Sequence, residues 1–308
     1  MSYQRNPRPL SCHNASESWG DAVHLLFVGD WGRNGSPVQR RVARGMERVA
    51  AQLPCSAVVT TGDNFYEDGV ASVRDPHWRE SFNDVYRAPS LQVPWFACLG
   101  NHDYRGEPQA QVVFTDHDPR WYLPSRHYTV QLRDPGVCSV QLFVLDTTPL
   151  LTQYRCGPET LASLAAIDPE AQLSWLRDAL ARSSATWKIV VAHHPMLSGS
   201  PVHGSAPELE RSLGALLRGA GVHAYVCGHE HDLQHLHDGS MHHLVSGAGS
   251  HARMSGTLEE TRFCRGDLGF LALSFDRVTL KVRFHDADGG LIYSARERNS
   301  LQAPTQAA

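Results

Sequence analysis

The chain has 308 residues, of which 42% are hydrophobic, 19% charged and 8% aromatic, with a formal net charge of −4. That length supports one large core or two small ones, and the ordinary composition excludes a repetitive, fibrous or disordered chain. The slight negative charge excludes bulk attraction to nucleic acid or anionic lipid, and no apolar run approaches the length of a membrane span.

The polar opening MSYQRNPRPLSCHNASESWG reads as a flexible arm over 1–20, and the apolar run behind it is too short for an export signal. A soluble cytoplasmic protein is therefore expected, with secretion as the alternative. VHLLFV (23–28) reads as a strand leading to Asp30, and Val38, Val42, Met46, Val49 and Leu53 form a helical stripe. SAVVTT (56–61) is a second strand, leading to Asp63; 77–86 reads as a helix, and VPWFACL (93–99) as a strand leading to Asn101. HYTVQLR (127–133) and VQLFVLD (140–146) alternate with period two, and Pro169 opens a helix carrying Leu173, Leu176 and Leu180. WKIVVA (187–192) runs into His193, the helix ELERSLGALL (208–217) precedes Gly219, and HAYVC (223–227) runs into His229. FLALSFD, VTLKVRFHD and LIYSARE, joined by short polar turns, read as an antiparallel meander, with a flexible tail over 299–308.

Strand–helix alternation followed by consecutive strands predicts an α/β fold, a four-layer α-β-β-α sandwich. Two packed mixed sheets flanked by helices are expected, in one domain over 21–298. Seven scattered cysteines without a CxxC pair give neither a disulfide framework nor a zinc ribbon. Of the 18 histidines, many lie between Val222 and His251. His235, His237, His242 and His243 read as chance or as a surface tract.

Five segments each follow a predicted strand: GDWG (29–32), GDNFY (62–66), GNHD (100–103), AHHP (192–195) and GHEH (228–231). Open α/β sheets place their ligands at the carboxyl ends of strands. A lone Gly-Asp pair is common as a capping turn. Here Asp30 and Asp63 share that position with Tyr66, Asn101, His193, His229 and His231, the ligand inventory of two metal ions of unequal charge. Asp63 is read as the bridging ligand. Tyr66, three residues on, supplies a phenol that a trivalent iron would hold as tyrosinate, and Asn101 supplies a neutral amide oxygen. A ferric and a divalent ion carry five positive units, of which two carboxylates and a phenolate cancel three. The remainder suits a phosphate monoester.

In this order the segments GDWG, GDNFY, GNHD, HxP and GHEH resemble the purple acid phosphatases, most nearly the small single-domain, tartrate-resistant type. QLSWLRDAL, His203-Gly204, GVHAYVCGHEHDLQHL and LVSGAG extend the resemblance, which covers His24 to about Tyr293. It implies the calcineurin-like metallophosphoesterase fold. It also implies Fe(III) on Asp30, Asp63, Tyr66 and His231, with Fe(II), Zn(II) or Mn(II) on Asp63, Asn101, His193 and His229. His102 matches the family histidine that contacts substrate and assists the leaving group, and His203 a second one on the leaving-group side. His194 stands where the family often has tyrosine and is not counted as a ligand. Cys156 matches one partner of a family disulfide, but Pro207 and Glu208 stand where the other would be, which fits a reducing compartment. Residues 153–169 align with a loop whose cleavage activates some relatives, but their sequence differs, so that regulation is not carried over.

The expected activity is acid phosphatase: attack of a metal-bound hydroxide on a small phosphate ester, releasing inorganic phosphate. A phosphodiesterase or nucleotide hydrolase of the wider group usually carries Asp-x-His in the first segment, whereas Gly32 stands there. A non-catalytic metal- or phosphate-binding scaffold would be favoured by a lost ligand, and none is lost. Natural substrate and oligomeric state are not legible from the sequence.

Overall fold

The computed structural model describes residues 22–134 and 138–299. The expected arm over 1–20 and, but for Asn299, the tail over 299–308 lie outside them. Strands β1 (Val23–Val28), β2 (Ala57–Thr60), β3 (Trp95–Phe96) and β4 (Trp121–Tyr122) run parallel. The meander β12 (Gly269–Phe275), β13 (Thr279–Asp286), β14 (Leu291–Arg298) adds antiparallel to β1, giving the order β14-β13-β12-β1-β2-β3-β4. The second sheet has the order β11-β9-β10-β8-β7-β6-β5. It comprises β5 (Tyr128–Asp134), β6 (Cys138–Val144), β7 (Trp187–Val191), β8 (Ala224–Cys227), β9 (Leu233–His237), β10 (His242–Ser246) and β11 (Thr261–Arg265). Strands β6, β7, β8 and β10 are parallel; β5, β9 and β11 pair antiparallel at the flanks. Both sheets are mixed, as expected.

The central strands are apolar on both faces because one face meets the other sheet and the other meets helices. Leu25, Leu26, Phe27 and Val28 of β1 are fully buried, as are Ile189, Val190 and Val191 of β7. The helix Pro37–Gln52 covers β12 and β13. It starts at Ser36, whose hydroxyl accepts from the Gln39 amide, and at Pro37, whose missing N–H costs nothing there. It buries Val42, Met46 and Val49, but Val38 at its head is exposed. The helix Pro169–Ala181, capped by Asp168, buries Leu176 and Leu180.

Three expected elements differ. The 77–86 helix is a π-helical turn, Trp78–Asn83, which presses Trp78 and Phe82 into a cluster of rings with Trp31, Phe65, Tyr86, Trp95 and Trp121. The run VPWFACL pairs only at Trp95–Phe96; beyond it the backbone leaves the ladder, and the Cys98 amide bonds to the Thr60 side chain. The 208–217 helix is divided into Pro207–Leu209, a π-helical turn Glu210–Gly214 and Ala215–Gly219. The histidine tract is not a surface feature except at His237, which is half-buried at the end of β9. His235, His242 and His243 lie buried in β9 and β10, with His235 Nε2 3.0 Å from His242 Nδ1 and His235 Nδ1 3.0 Å from the Tyr293 hydroxyl.

Candidate metal centre

The carboxyl ends of β1, β2 and β3 in one sheet meet those of β7 and β8 in the other. The seam is stitched by hydrogen bonds: the Gly29 amide donates to Ser246 O (2.8 Å), the Gly249 amide to Gly29 O (3.1 Å), and the Ser250 hydroxyl to Asp30 O (2.6 Å). At this seam Asp30, Asp63 and His229 all adopt positive φ (59°, 48° and 67°). Left-handed backbone in a non-glycine residue costs free energy and persists only where surrounding structure imposes it. Each such kink turns a side chain away from its strand and into the seam. Gly62, before Asp63, sits at φ +90° with the His193 ring where its Cβ would be, 2.6 Å from Nδ1, so only glycine fits.

The sequence-predicted ligands come together. The Tyr66 hydroxyl lies 2.8 Å from Asp30 Oδ1, 2.8 Å from Asp63 Oδ2 and 3.0 Å from His231 Nε2. His193 Nε2 lies 3.1 Å from Asn101 Oδ1 and 3.4 Å from Asp63 Oδ1. Asp63 thus touches both groups, one oxygen to each. Phe65 and Tyr66, adjacent in sequence, part company: Phe65 enters the ring cluster, while Tyr66 faces the carboxylates under the Arg33 guanidinium, 3.8 Å above its ring. The His229 ring packs against His193, His194 and His203, with centroids 5.1, 4.5 and 4.3 Å away. Two sets of three ligand atoms, from Asp30, Asp63 and His193 and from His193, His194 and His229, each lie within 4.8 Å of one another. His194, left out of the sequence-based ligand set, sits at the cluster's edge. Its Nδ1 lies 2.9 Å from the Thr147 hydroxyl and its Nε2 3.3 Å from that of Tyr154, so hydroxyls engage both nitrogens.

Electrostatics make the case for a cation. Burial and the two carboxylates push the Tyr66 phenol well above its usual range, so as a proton donor it can serve only one carboxylate at a time. Burial disfavours charge on Asp63, but His193 and His102 outweigh it and hold the carboxyl low. Burial likewise opposes charge on His193, but Asp63 lifts it to about 9. Two desolvated carboxylates and a phenol thus share one buried seam with imidazoles as their nearest partners, His193 and His102 at Asp63 and His231 at Asp30. Hard oxygen donors with imidazoles around them are a donor set that fits a pair of first-row metal ions.

Further residues, which the sequence pattern did not single out, orient the ligands. The Thr61 carbonyl accepts from His193 Nδ1 at 2.8 Å, leaving Nε2 towards the cluster, and His251 Nδ1 lies 2.9 Å from His231 Nδ1 to the same effect. Asp103 accepts from the Gly100 and Asn64 amides (2.9 and 3.0 Å) and from Gln111, tying the Asn101 turn to the Asp63 turn. Glu230, fully buried between His229 and His231, accepts from the Ser200 hydroxyl (2.7 Å) and from the His203 and Gly204 amides (3.0 and 2.6 Å). His102 and His203 flank the cluster. His102 donates Nδ1–H to Glu67 O at 2.6 Å and holds Nε2 4.0 Å from Asp63 Oδ2. His203 Nε2 faces Arg253 Nη1 at 2.9 Å; since arginine only donates, that nitrogen is an acceptor.

The fold and this seam define a metallophosphoesterase. Residues 23–233 match the family model described as calcineurin-like phosphoesterase. "Purple acid phosphatase 3" of Arabidopsis thaliana is 37% identical over 286 residues, covering 88% of this chain and 76% of its own length. "Tartrate-resistant acid phosphatase type 5" of Homo sapiens is 36% identical over 246 residues, 74% of this chain and 73% of its own. Among solved structures, "GAP50 the anchor in the inner membrane complex of Plasmodium" shares the fold at TM-score 0.79, 23% identity and coverage of 90% and 89%. The purple acid phosphatase from yellow lupin (Lupinus luteus) seeds does so at TM-score 0.67 and 16% identity, over 89% of this chain and 53% of that one. The chain belongs to the purple acid phosphatases, binuclear metallophosphoesterases within the calcineurin-like group. Membership implies a binuclear metal centre, a phosphate-ester substrate and inorganic phosphate as product. No described helix is long and apolar enough to cross a membrane.

Proposed function

We propose that residues 21–298 form one catalytic domain hydrolysing small phosphate monoesters at acidic pH. Asp30, Asp63, Tyr66 and His231 would hold Fe(III), and Asp63, Asn101, His193 and His229 a divalent ion, Fe(II), Zn(II) or Mn(II). The observation that carries this reading is the Tyr66 hydroxyl, within 3.0 Å of two carboxylates and an imidazole in a buried seam. When bound, such a pair supplies Lewis acidity and acidifies water.

The chain's own groups do the rest. His102, with Nδ1–H fixed on the Glu67 carbonyl, holds Nε2 4.0 Å from Asp63 Oδ2, beside the cluster, where it delivers a proton to the departing alkoxide. Burial lowers His203 below its usual range against the opposing charge of Glu230, and Arg253 occupies its Nε2, so it orients rather than leads proton transfer. The net charge of −4 favours a small ester over nucleic acid or an anionic membrane as partner. Cys156 is exposed and has no disulfide partner among the described residues, and Glu208 instead accepts from the Thr152 amide at 2.8 Å, a non-covalent tie that suits a reducing, cytoplasmic setting.

Diester hydrolysis by the wider group's Asp-x-His arrangement is disfavoured on steric grounds. A Cβ on Gly32 would lie 2.0 Å from the Asn64 carbonyl, leaving no room for a histidine. Purification with elemental analysis, an absorption spectrum and an aryl phosphate assay tests the proposal. Iron plus a second metal, a purple band and acidic turnover are expected, and Tyr66→Phe should bleach the band. A colourless, active protein with zinc or manganese at both positions refutes the ferric assignment.

A further inference from the structure

A cleft of about 230 Å³ opens beside the cluster, sharing Asn101 with it and lined also by Arg105, Tyr154, Glu159, Thr160 and Leu161. It lies at the small end of ligand sites and suits a metabolite-sized group rather than a folded partner. Its floor is fixed: Tyr154 is buried, with its hydroxyl 3.3 Å from His194 Nε2, and the His194 ring packs on His229. Its walls carry opposite charges. Arg105 ends a short 3-10 turn that begins just after His102, and its charge is felt by Glu67 on the His102 side. Glu159 lies on the opposite segment, and its charge is felt by His203. Among the described residues neither Arg105 nor Glu159 forms an ion pair, and both are exposed where they line the opening.

Resting on the phosphatase reading above, we propose that this cleft holds the leaving group and selects one that is itself dipolar. Its carboxylate would face Arg105 and its ammonium Glu159, as in a free O-phosphorylated amino acid. A purely anionic alcohol would meet Glu159 unfavourably, and a cationic one Arg105; only a group carrying both charges satisfies both walls. A peptide lacks the pair, because its amide bonds remove the charges.

O-phosphoserine, its N-acetyl derivative, its methyl ester and a generic aryl phosphate are compared on the metal-loaded protein, alongside calorimetric binding of the phosphonate analogue of phosphoserine. Blocking either charge should cost about fivefold in kcat/KM, chiefly through KM, in keeping with partly solvated ion pairs. Arg105→Ala should erase the penalty for esterification, and Glu159→Ala that for acetylation, each leaving aryl phosphate turnover unchanged. Phosphonate affinity should fall by a similar factor in each variant. Equal rates for free and blocked phosphoserine, with aryl phosphate still hydrolysed, overturn the dipolar cleft alone. No aryl phosphate turnover in the wild-type protein overturns the phosphatase reading beneath it.

Discussion

Glu230 lies between two proposed ligands, yet its carboxyl points away from the cluster and holds the turn that carries His203. Its three hydrogen bonds come from the Ser200 hydroxyl and the His203 and Gly204 amides, with no side-chain cation among them. Glu230→Gln retains one oxygen for the two amides, while the serine hydroxyl can reverse to accept from the new NH2. The loss is then confined to charge assistance, about 1–2 kcal/mol. Glu230→Ala leaves both amides unpaired in a partly buried loop. At about 1–3 kcal/mol for each unmet group, with some recovered by entering water, the cost is about 3 kcal/mol. Urea unfolding of metal-free protein measures it, so that metal affinity does not enter. Hydrogen exchange locates it: the His203 and Gly204 amides should exchange roughly 100-fold faster, while β1 and β7 amides follow global stability only. An alanine variant within about 0.5 kcal/mol of wild type, with unchanged protection at 203 and 204, refutes the reasoning.

Metal loading should release protons. Asp63 lifts His193 to about 9 against the effect of burial, and the Tyr66 phenol lies well above its usual range, so at pH 7 the first is charged and the second neutral. Ligation needs a neutral imidazole and a phenolate, so roughly two protons leave and apparent affinity falls as pH drops. Calorimetry in buffers of different ionisation enthalpy measures this; Tyr66→Phe should release one proton fewer, and buffer-independent heats contradict the picture. A second pH effect arises far from the cluster. Burial, with Arg262 nearby, holds His235 down at about 3, so between there and 6.5 the unfolded chain binds the extra proton. Stability from this group is complete above 6.5 and declines on acidification by about 1.4 kcal/mol per pH unit. From pH 7 to 5, wild type should lose about 2 kcal/mol more than His235→Asn in urea titrations; parallel curves contradict it.

What was legible in the sequence follows from what each residue meets. β1, β2, β7 and β8 read as apolar runs because both their faces are covered, and their ends carry the ligands, so fold and ligand inventory came from one signal. β4 is two residues long and has no period to detect. The 78–83 turn shows a helical spacing but widens to π geometry where Trp78 packs on Trp121 and Phe82 on both Trp31 and Trp121. β9 and β10 were hidden for a different reason: imidazoles counted as polar are buried there as hydrogen-bonded pairs.

The orienting residues were illegible because their partners are distant in the chain. Asp103 in GNHD holds the amide of Asn64, and His251 holds His231; nothing in their own neighbourhoods distinguishes them from a turn-capping aspartate or a loop histidine. The left-handed kinks at Asp30, Asp63 and His229 tie these observations together. Each puts a costly backbone conformation on a residue that also brings a polar group into a buried seam, so local strain and desolvation fall at the same three positions. A fold optimised for stability alone would relieve both with glycine and apolar side chains. Their coincidence on ligand-type residues, at strand ends drawn from two sheets, is the pattern expected when bound metal, rather than folding, supplies the compensating free energy.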